Sequence, residues 1–510
     1  MIWFDLLYPS EEKWEQGKEG GRVSPWLAHD LQLERLVEAH VLNKTEFGVL
    51  CQELDYLPVD KEVILHRQEV LQDLIQKPHF LDKYENFCQK LKNNVPIKRN
   101  IWDKTQPVYK NLEENIGVLE ANYQAICTAN LGAETEFRSD ALVGLVRFLG
   151  NHEYKKGLGE IIGHLKELLE NGAIRYRPEY TYGQVLDSVT IQGLYRGNYY
   201  ITKEKGLLKK TVVDKDYLIP ADNIILSSNM DEIYSKTTLK LCDFASRLNS
   251  AIVNAFRRIQ REIPYYRAGI RLYEICQQQG IGMCLPRVRE GCGAFMEFRS
   301  LYPIYLLAEK AAGGIQSNSY SNEEGRIAIV TGHNSGGKTT FLQAVGLSQI
   351  MMQLGFYVPA DFFEASAAGF IGSLFSCNED AHTIYGKLEQ ELVAMKSVAG
   401  MLKKGSLLLM NEILATTSER EGADIAAEAI HAFSETHSHL IFVTHLKCLA
   451  DMAQEKKLAL AEGEYAINYV TEQWKETDGR VKKTHRIVKG SPETGILERE
   501  LLEKYFGAKE

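Results

Sequence analysis

The feature that most constrains this chain is a glycine-rich loop at residues 332–339, which fits the pattern G-x-x-x-x-G-K-S/T. Residues 326–331 form a short apolar run suited to a buried strand, and a helical pattern begins at Leu342. A strand, a glycine loop and a helix start let backbone N–H groups and the helix dipole converge on phosphate oxygens. The pattern therefore predicts a phosphate-binding site whose candidate residues are Gly332, His333, Asn334, Ser335, Gly336, Gly337, Lys338, Thr339 and Thr340.

Two side chains of this loop are expected to carry the nucleotide chemistry. Lys338 would reach the β- and γ-phosphates of ATP, and the Thr339 hydroxyl would ligate Mg²⁺. Lys338 is therefore a candidate catalytic residue, and Thr339 is a candidate metal ligand.

Two later strands are expected to bring further polar groups to the same place. Residues 406–410 form an apolar strand followed by Asn411 and Glu412. Such a strand typically delivers an acidic or polar pair beside the phosphates, so Asn411 would hold Mg²⁺ through water and Glu412 would orient and deprotonate the attacking water. A third strand, residues 440–444, ends at His445, which would sense the γ-phosphate or position water.

Length and charge limit the remaining interpretations. A chain of 510 residues is too long for one hydrophobic core, so two to four domains are expected. The net charge of −9 argues against coating nucleic acid through bulk positive charge, and residues 98–110 and 203–215 are either solvated loops or local basic surfaces. The sequence has no pattern of a signal peptide or a transmembrane helix, which predicts a cytoplasmic protein with no membrane partner.

The pattern of apolar residues changes along the chain and predicts a multidomain fold. Residues 1–175 are expected to form a helical core domain, and residues 176–235 a small inserted unit with β-strands. Residues 236–299 are expected to form lever helices, in which Pro264 ends or kinks the first helix before a second one. Alternating strands and helices in residues 300–510 predict an α/β P-loop (ABC-like) ATPase domain with a short C-terminal helix.

These motifs, in this order and spacing, resemble the MutS family of DNA-repair ATPases. The loop is similar to the family's G-P-N-M-G-G-K-S/T, with His333 in place of the proline and Ser335 in place of the methionine. Residues 353–360 resemble its Q-x-G-x-x-V-P-A stretch, residues 407–418 its Walker B strand and the following loop, and residues 443–445 its A/V-T-H. In the N-terminal half, residues 57–69 and 236–286 resemble the family's helical core and lever.

The resemblance implies an ATP-binding and Mg²⁺-binding domain that forms a head-to-tail homodimer. In that arrangement ATP lies at the dimer interface, and each site is completed by the second copy. The family's S-T-F signature, which reaches the partner's γ-phosphate, would fall at residues 383–385, so Thr383 is the candidate residue supplied in trans.

Three departures from the family pattern affect the functional prediction. Asn411 stands where the family has the Walker B aspartate, and the lost charge predicts weaker Mg²⁺ binding or slow turnover, with Glu412 retained. The family's N-terminal mismatch-reading domain is not recognised in this sequence. After a hairpin formed by residues 467–470 and 486–488, with a turn at residues 478–479, only a short helix is expected.

Two functions of different classes follow. The first is an ATP-hydrolysing dimer that couples nucleotide state to gripping DNA, with branched DNA a better fit than a mismatch. The second is a nucleotide-gated binding module with weak or no turnover, acting on DNA, RNA, a ribosome or a protein. An ABC-type or SMC-type ATPase is disfavoured because no L-S-G-G-Q sequence lies between Thr339 and Asn411. The residues that contact adenine are not identified.

Overall fold

The computed structural model describes residues 4–95, 106–171, 174–181, 185–194, 200–202, 211–214, 217–218, 224–291, 294–309, 314–376, 386–415, 417–475 and 481–491. The helices are α1 Glu11–Gly17, α2 Leu27–Asp30, α3 Arg35–Glu38, α4 Lys44–Leu54, α5 Lys61–Gln76, α6 Phe80–Lys90, α7 Gln106–Thr128, α8 Asp140–Gly150, α9 His152–Asn171, α10 Ile224–Gln278, α11 Ile304–Glu309, α12 Lys338–Gln353, α13 Lys387–Met401, α14 Glu419–Ser434 and α15 Lys447–Gln454. The strands are β1 Arg22–Val23, β2 Ile174–Thr181, β3 Val185–Leu194, β4 Tyr200–Thr202, β5 Thr211–Asp214, β6 Tyr217–Leu218, β7 Arg287–Arg289, β8 Met296–Leu301, β9 Asn318–Ser321, β10 Ile327–Thr331, β11 Phe362–Ser366, β12 Phe370–Phe375, β13 Leu407–Asn411, β14 His439–Val443, β15 Ala466–Lys475 and β16 Val481–Lys489.

The chain divides into two compact units. The first comprises residues 1–4 and 78–261, and the second comprises residues 5–77 and 262–510. This division differs from the boundaries expected from the sequence, because residues 5–77 belong with the C-terminal unit and not with the predicted helical core. One physical reason is seen at strand β1, which pairs in parallel with β12 of the C-terminal sheet.

The first unit is mostly helical and also contains strands β2 to β6. Aromatic side chains fill its core, where the rings of Phe87 and Phe256 meet edge to face at 4.9 Å. The Tyr84 hydroxyl donates to the Phe256 carbonyl at 2.8 Å, so this buried polar group is satisfied. Strands β2 and β3 form an antiparallel pair, and β4, β5 and β6 form a small sheet.

The long helix α10 corrects one prediction. It continues through Pro264, so the expected break into two helices was wrong. Proline removes one helical hydrogen bond, at a cost of about 3 kcal/mol. Its neighbours Tyr265 and Tyr266 are fully buried, and their hydroxyls donate to the carbonyls of Leu354 and Leu6. We attribute the continuity of the helix to this packing, which offsets the cost of the proline.

The second unit contains the α/β domain expected from the sequence. Its main sheet has seven strands in the order β1-β12-β13-β14-β10-β15-β16, all parallel except for β16. Every residue of β10 and β14 is buried, as the apolar runs predict for strands covered on both faces. A second sheet has the order β7-β11-β8-β9.

The C-terminal hairpin pairs as the sequence predicts, with Val470 opposite Val488. The expected turn at residues 478–479 and the expected final helix lie outside the described residues. Among the residues that the structure describes, no helix is long and apolar enough to cross a membrane.

Candidate nucleotide-binding site

The strand order brings the predicted site together from distant parts of the sequence. Strand β10 lies beside β14, and β14 lies beside β13, all three running in parallel. The loop after β10 therefore emerges at the same sheet edge as Asn411 and Glu412 after β13 and His445 after β14. In open parallel sheets, ligands generally bind at such an edge, beyond the carboxyl ends of the strands.

The loop is shaped by positions that exclude larger side chains. Gly332 and Gly337 have φ values of 140° and 88°, which favour glycine, and Ser335 is also left-handed at 62°. A Cβ added to Gly332 would collide with the Thr471 hydroxyl, and one on Gly336 would lie 2.6 Å from Nδ1 of His333. Helix α12 begins after Gly337 without a side-chain cap, which leaves its first N–H groups available to an anion.

Lys338 lies at the centre of this loop. Its side chain is only 3% exposed, and Nζ donates to the carbonyls of Gly332 at 2.9 Å and His333 at 3.1 Å. Burial lowers the pKa of Lys338 below its usual range, and the nearby Glu412 carboxylate opposes that shift. The ammonium is therefore partly desolvated before any phosphate arrives, which strengthens its attraction for an anion.

Thr339 and Asn411, the two candidate metal ligands, are in direct contact. The Thr339 hydroxyl donates to Oδ1 of Asn411 at 3.0 Å. This hydrogen bond places two neutral oxygen atoms side by side at the edge of β13. Magnesium is a hard cation that takes oxygen ligands and keeps several waters, so this pair fits a water-rich Mg²⁺ site.

Glu412 forms a short polar chain with its neighbours. Its Oε1 lies 3.0 Å from Nε2 of His445 and 3.9 Å from Nζ of Lys338. The hydrogen bond from His445 lowers the pKa of Glu412, as does the charge of Lys338, while burial opposes both. Glu412 is thus ionised at neutral pH. We assign the tautomer of His445 in which Nε2 carries the proton and donates it in a hydrogen bond to the Glu412 carboxylate. Because Nε2 is then a donor, it does not accept a hydrogen bond from Lys338 Nζ, which lies 3.5 Å away.

A cavity of about 330 Å³ opens beside the loop. Six of the nine predicted loop residues line it: Ser335, Gly336, Gly337, Lys338, Thr339 and Thr340. Gly332, His333 and Asn334 do not line it, and His333 instead faces the Thr471 hydroxyl, with Nδ1 at 3.2 Å. Glu412 contributes to the lining, whereas Asn411 and His445 do not, although they contact the lining residues Thr339 and Glu412.

The cavity lining also contains residues that the sequence did not single out. They are Pro303, Leu306, Gly314, Ile315, Gln316, Asn318, Phe341, Ala344 and His485. His485 reaches the site because β16 folds back along β15, and Asn318 Oδ1 accepts from the Ile487 N–H at 2.8 Å. No local motif marks His485, because only the register of the hairpin brings it to the cavity. Thr383 and Thr416 lie outside the described residues.

A glycine loop between a buried parallel strand and an uncapped helix, with a lysine at the helix start, is typical of the P-loop class of nucleotide-binding domains. Sequence comparison then gives the family that this part of the chain resembles. Residues 328–495 match the family model described as MutS domain V. This part of the chain is therefore similar to domain V of MutS proteins.

Curated relatives of the chain include DNA mismatch repair proteins. The DNA mismatch repair protein MutS of Fervidobacterium nodosum is 26% identical over 350 residues, 67% of this chain and 37% of that protein. The protein of the same name from Thermosipho melanesiensis is 27% identical over 316 residues, 57% of this chain and 36% of that protein. Endonuclease MutS2 of an Anaeromyxobacter species is 32% identical over 209 residues, 40% of this chain and 24% of that protein. The matched segments thus cover well under half of each relative's length.

Proposed function

We propose that this chain binds ATP with Mg²⁺ at the loop of residues 332–340, hydrolyses it, and couples its nucleotide state to DNA binding as a dimer. The observation that carries this proposal is the connected set formed by Lys338, Thr339, Asn411, Glu412 and His445 at one sheet edge. Each member supplies a group that phosphoryl transfer to water needs: a cation, two metal-facing oxygens, a carboxylate and its orienting partner. The similarity of residues 328–495 to MutS domain V supports the ATPase part.

The residues present fit both cofactors. The cavity beside the loop, the uncapped start of α12 and the buried ammonium of Lys338 suit a polyphosphate. Thr339 and Asn411 would hold Mg²⁺, the latter through water, because their oxygens already lie within hydrogen-bond distance of each other. Bound Mg²⁺ would neutralise charge on the phosphate oxygens.

The chain's own residues would then divide the work as follows. Lys338 would contribute positive charge to the phosphates from a desolvated position. Glu412, ionised at neutral pH, would accept a hydrogen bond from the attacking water and take up its proton as the bond to phosphorus forms. His445 would hold the Glu412 carboxylate in place through Nε2, and this fixed orientation favours attack by a positioned water.

The DNA-binding part of the proposal rests on the names of the relatives, which include DNA mismatch repair proteins. The dimer part rests on the resemblance of the motifs to the MutS family. The chain's net charge of −9 places any DNA contact on a local surface and not on the whole molecule. We propose branched DNA as the ligand and a homodimer with composite ATP sites, in which a second copy supplies Thr383.

Asn411 favours a second candidate function, a nucleotide-gated binding module with weak turnover that acts on RNA, a ribosome or a protein. An asparagine keeps the oxygen that accepts from Thr339 but lacks the negative charge of an aspartate. At about 5 Å and an effective dielectric near 20, that charge is worth at most several kcal/mol of attraction to Mg²⁺. The two functions therefore differ in how fast the site turns over.

The substitution Asn411→Asp separates the two functions. We expect the Mg²⁺ concentration for half-maximal hydrolysis to fall about tenfold, because the added charge attracts the cation. The proposed ATPase predicts that kcat changes less than about threefold, because Glu412 already supplies the carboxylate. The measurement is steady-state phosphate release across a Mg²⁺ titration. Asn93→Asp is the control, since Asn93 is an exposed asparagine that lies far from Asn411 in the sequence. A rise in kcat of tenfold or more would instead support the weakly hydrolysing module.

A further inference from the structure

The backbone that carries Glu412 is held in an uncommon conformation. Glu412 and Leu414 have φ values of 54° and 63°, in the left-handed region that non-glycine residues rarely adopt. Such a conformation persists only where the surrounding structure determines it, and it clusters at functional sites. The direction in which the Glu412 side chain projects depends on this turn, because the turn follows directly from strand β13.

Two hydrogen bonds fix the turn at its two left-handed residues. The Glu412 N–H donates to the Val443 carbonyl of the neighbouring strand at 2.8 Å. The Leu414 N–H donates to Oε2 of Glu391 at 2.8 Å. The first bond extends the sheet, whereas the second comes from a side chain on helix α13. The side chains of Ile413 and Leu414 are 2% and 0% exposed and anchor the turn in the core.

Glu391 is an unusual residue for that position. It is only 7% exposed and lies on the same buried stripe of α13 as Met395 and Val398, which are core residues. Its second oxygen, Oε1, is buried without a hydrogen-bond partner among the described residues. Burial raises the pKa of Glu391, and the Leu414 N–H opposes the shift. A buried carboxyl with one unsatisfied oxygen is costly, and packing alone would favour an apolar side chain here.

We propose that Glu391 is a positioning residue for hydrolysis: its carboxyl group holds residues 412–414 in the turn that presents Glu412 to the nucleotide site. This inference rests on the proposed ATPase function. Glu391 is not among the described residues that line the cavity, and the hydrogen bond it accepts comes from the Leu414 N–H, so it acts through the backbone of Leu414. Either protonation state of the carboxyl can accept the Leu414 N–H, so a glutamine should serve in its place.

The experiment compares Glu391→Ala, Glu391→Gln and the wild type in steady-state ATP hydrolysis. Glu391→Ala leaves the buried Leu414 N–H without its acceptor. We therefore expect kcat of this variant to fall about ten- to a hundredfold, with KM within about threefold of the wild type. Glu391→Gln should recover kcat to within about threefold of the wild type. Glu389→Ala is the matched control, because Glu389 is an exposed glutamate on the same helix.

Hydrogen exchange of peptides covering residues 407–415 provides a readout that needs no turnover. We expect exchange in Glu391→Ala to be at least about tenfold faster than in the wild type, and in Glu391→Gln to be unchanged. The inference is overturned if exchange is unchanged in Glu391→Ala or if the glutamine variant is as impaired as the alanine variant. It is also overturned if the fall in kcat of Glu391→Ala is accompanied by a comparable rise in KM. A wild type that binds no ATP would overturn the proposed function, while the exchange data would still decide whether Glu391 holds the turn.

Discussion

Replacing Lys338 with alanine should weaken ATP binding by about a hundredfold or more. Charge-assisted hydrogen bonds contribute about 1.5–3 kcal/mol each, and the ammonium can make more than one to adjacent phosphates. Its burial at 3% exposure places it in a medium where the attraction to an anion is less screened than at the surface. The measurement is calorimetric titration of the whole chain with ATP and Mg²⁺.

The control for this prediction is Lys404→Ala, because Lys404 is an exposed lysine of the same unit. The control should bind ATP with the affinity of the wild type. If Lys338→Ala binds within about threefold of the wild type while remaining folded, the loop of residues 332–340 is not the nucleotide site.

Replacing Glu412 with glutamine should separate binding from hydrolysis. The amide keeps the size of the side chain but cannot accept the proton of the attacking water, so we expect kcat to fall about a hundredfold or more. ATP affinity should stay within about threefold, since Glu412 is not expected to bind the phosphates. Steady-state phosphate release measures kcat and equilibrium titration measures ATP affinity, with Glu428→Gln as an exposed control.

The pH dependence of hydrolysis gives a second check on Glu412. The hydrogen bond from His445 lowers the pKa of Glu412, so its active, ionised form is fully present at neutral pH and is lost only as the pH falls through that lowered value. His445→Ala removes the bond, so the acid limb of the pH–rate profile should move to higher pH. If Glu412→Gln hydrolyses ATP at the rate of the wild type, Glu412 is not the residue that takes up the proton of the attacking water.

Several residues of the candidate site could be predicted from the sequence because each lies in a local motif. Short stretches of sequence were enough to single out three features: the glycines of the loop, the lysine at the helix start and the polar residues after two apolar strands. The parallel order of β10, β14 and β13 then brings them together. Local pattern therefore predicted which residues meet, although the order of the strands was not predicted.

The remaining features depend on contacts between distant segments. His485 joins the cavity only through the register of β16 on β15. From the sequence alone, Glu391 would be taken for a surface residue. Nothing near it in the sequence indicates that its carboxylate accepts from the N–H of Leu414, whose backbone is left-handed. The continuity of α10 through Pro264 follows from two buried tyrosines, Tyr265 and Tyr266, whose hydroxyls donate to carbonyls that lie far away in the chain. The place of residues 5–77 in the second unit likewise has no local sign.

The central claim, a DNA-coupled ATPase built on this loop, is tested most directly by steady-state phosphate release from the wild type with and without branched duplex DNA. We expect turnover to rise when DNA is present and to vanish in Lys338→Ala and Glu412→Ala under both conditions. ATP binding without turnover, unaffected by DNA, would contradict the claim and favour the nucleotide-gated module.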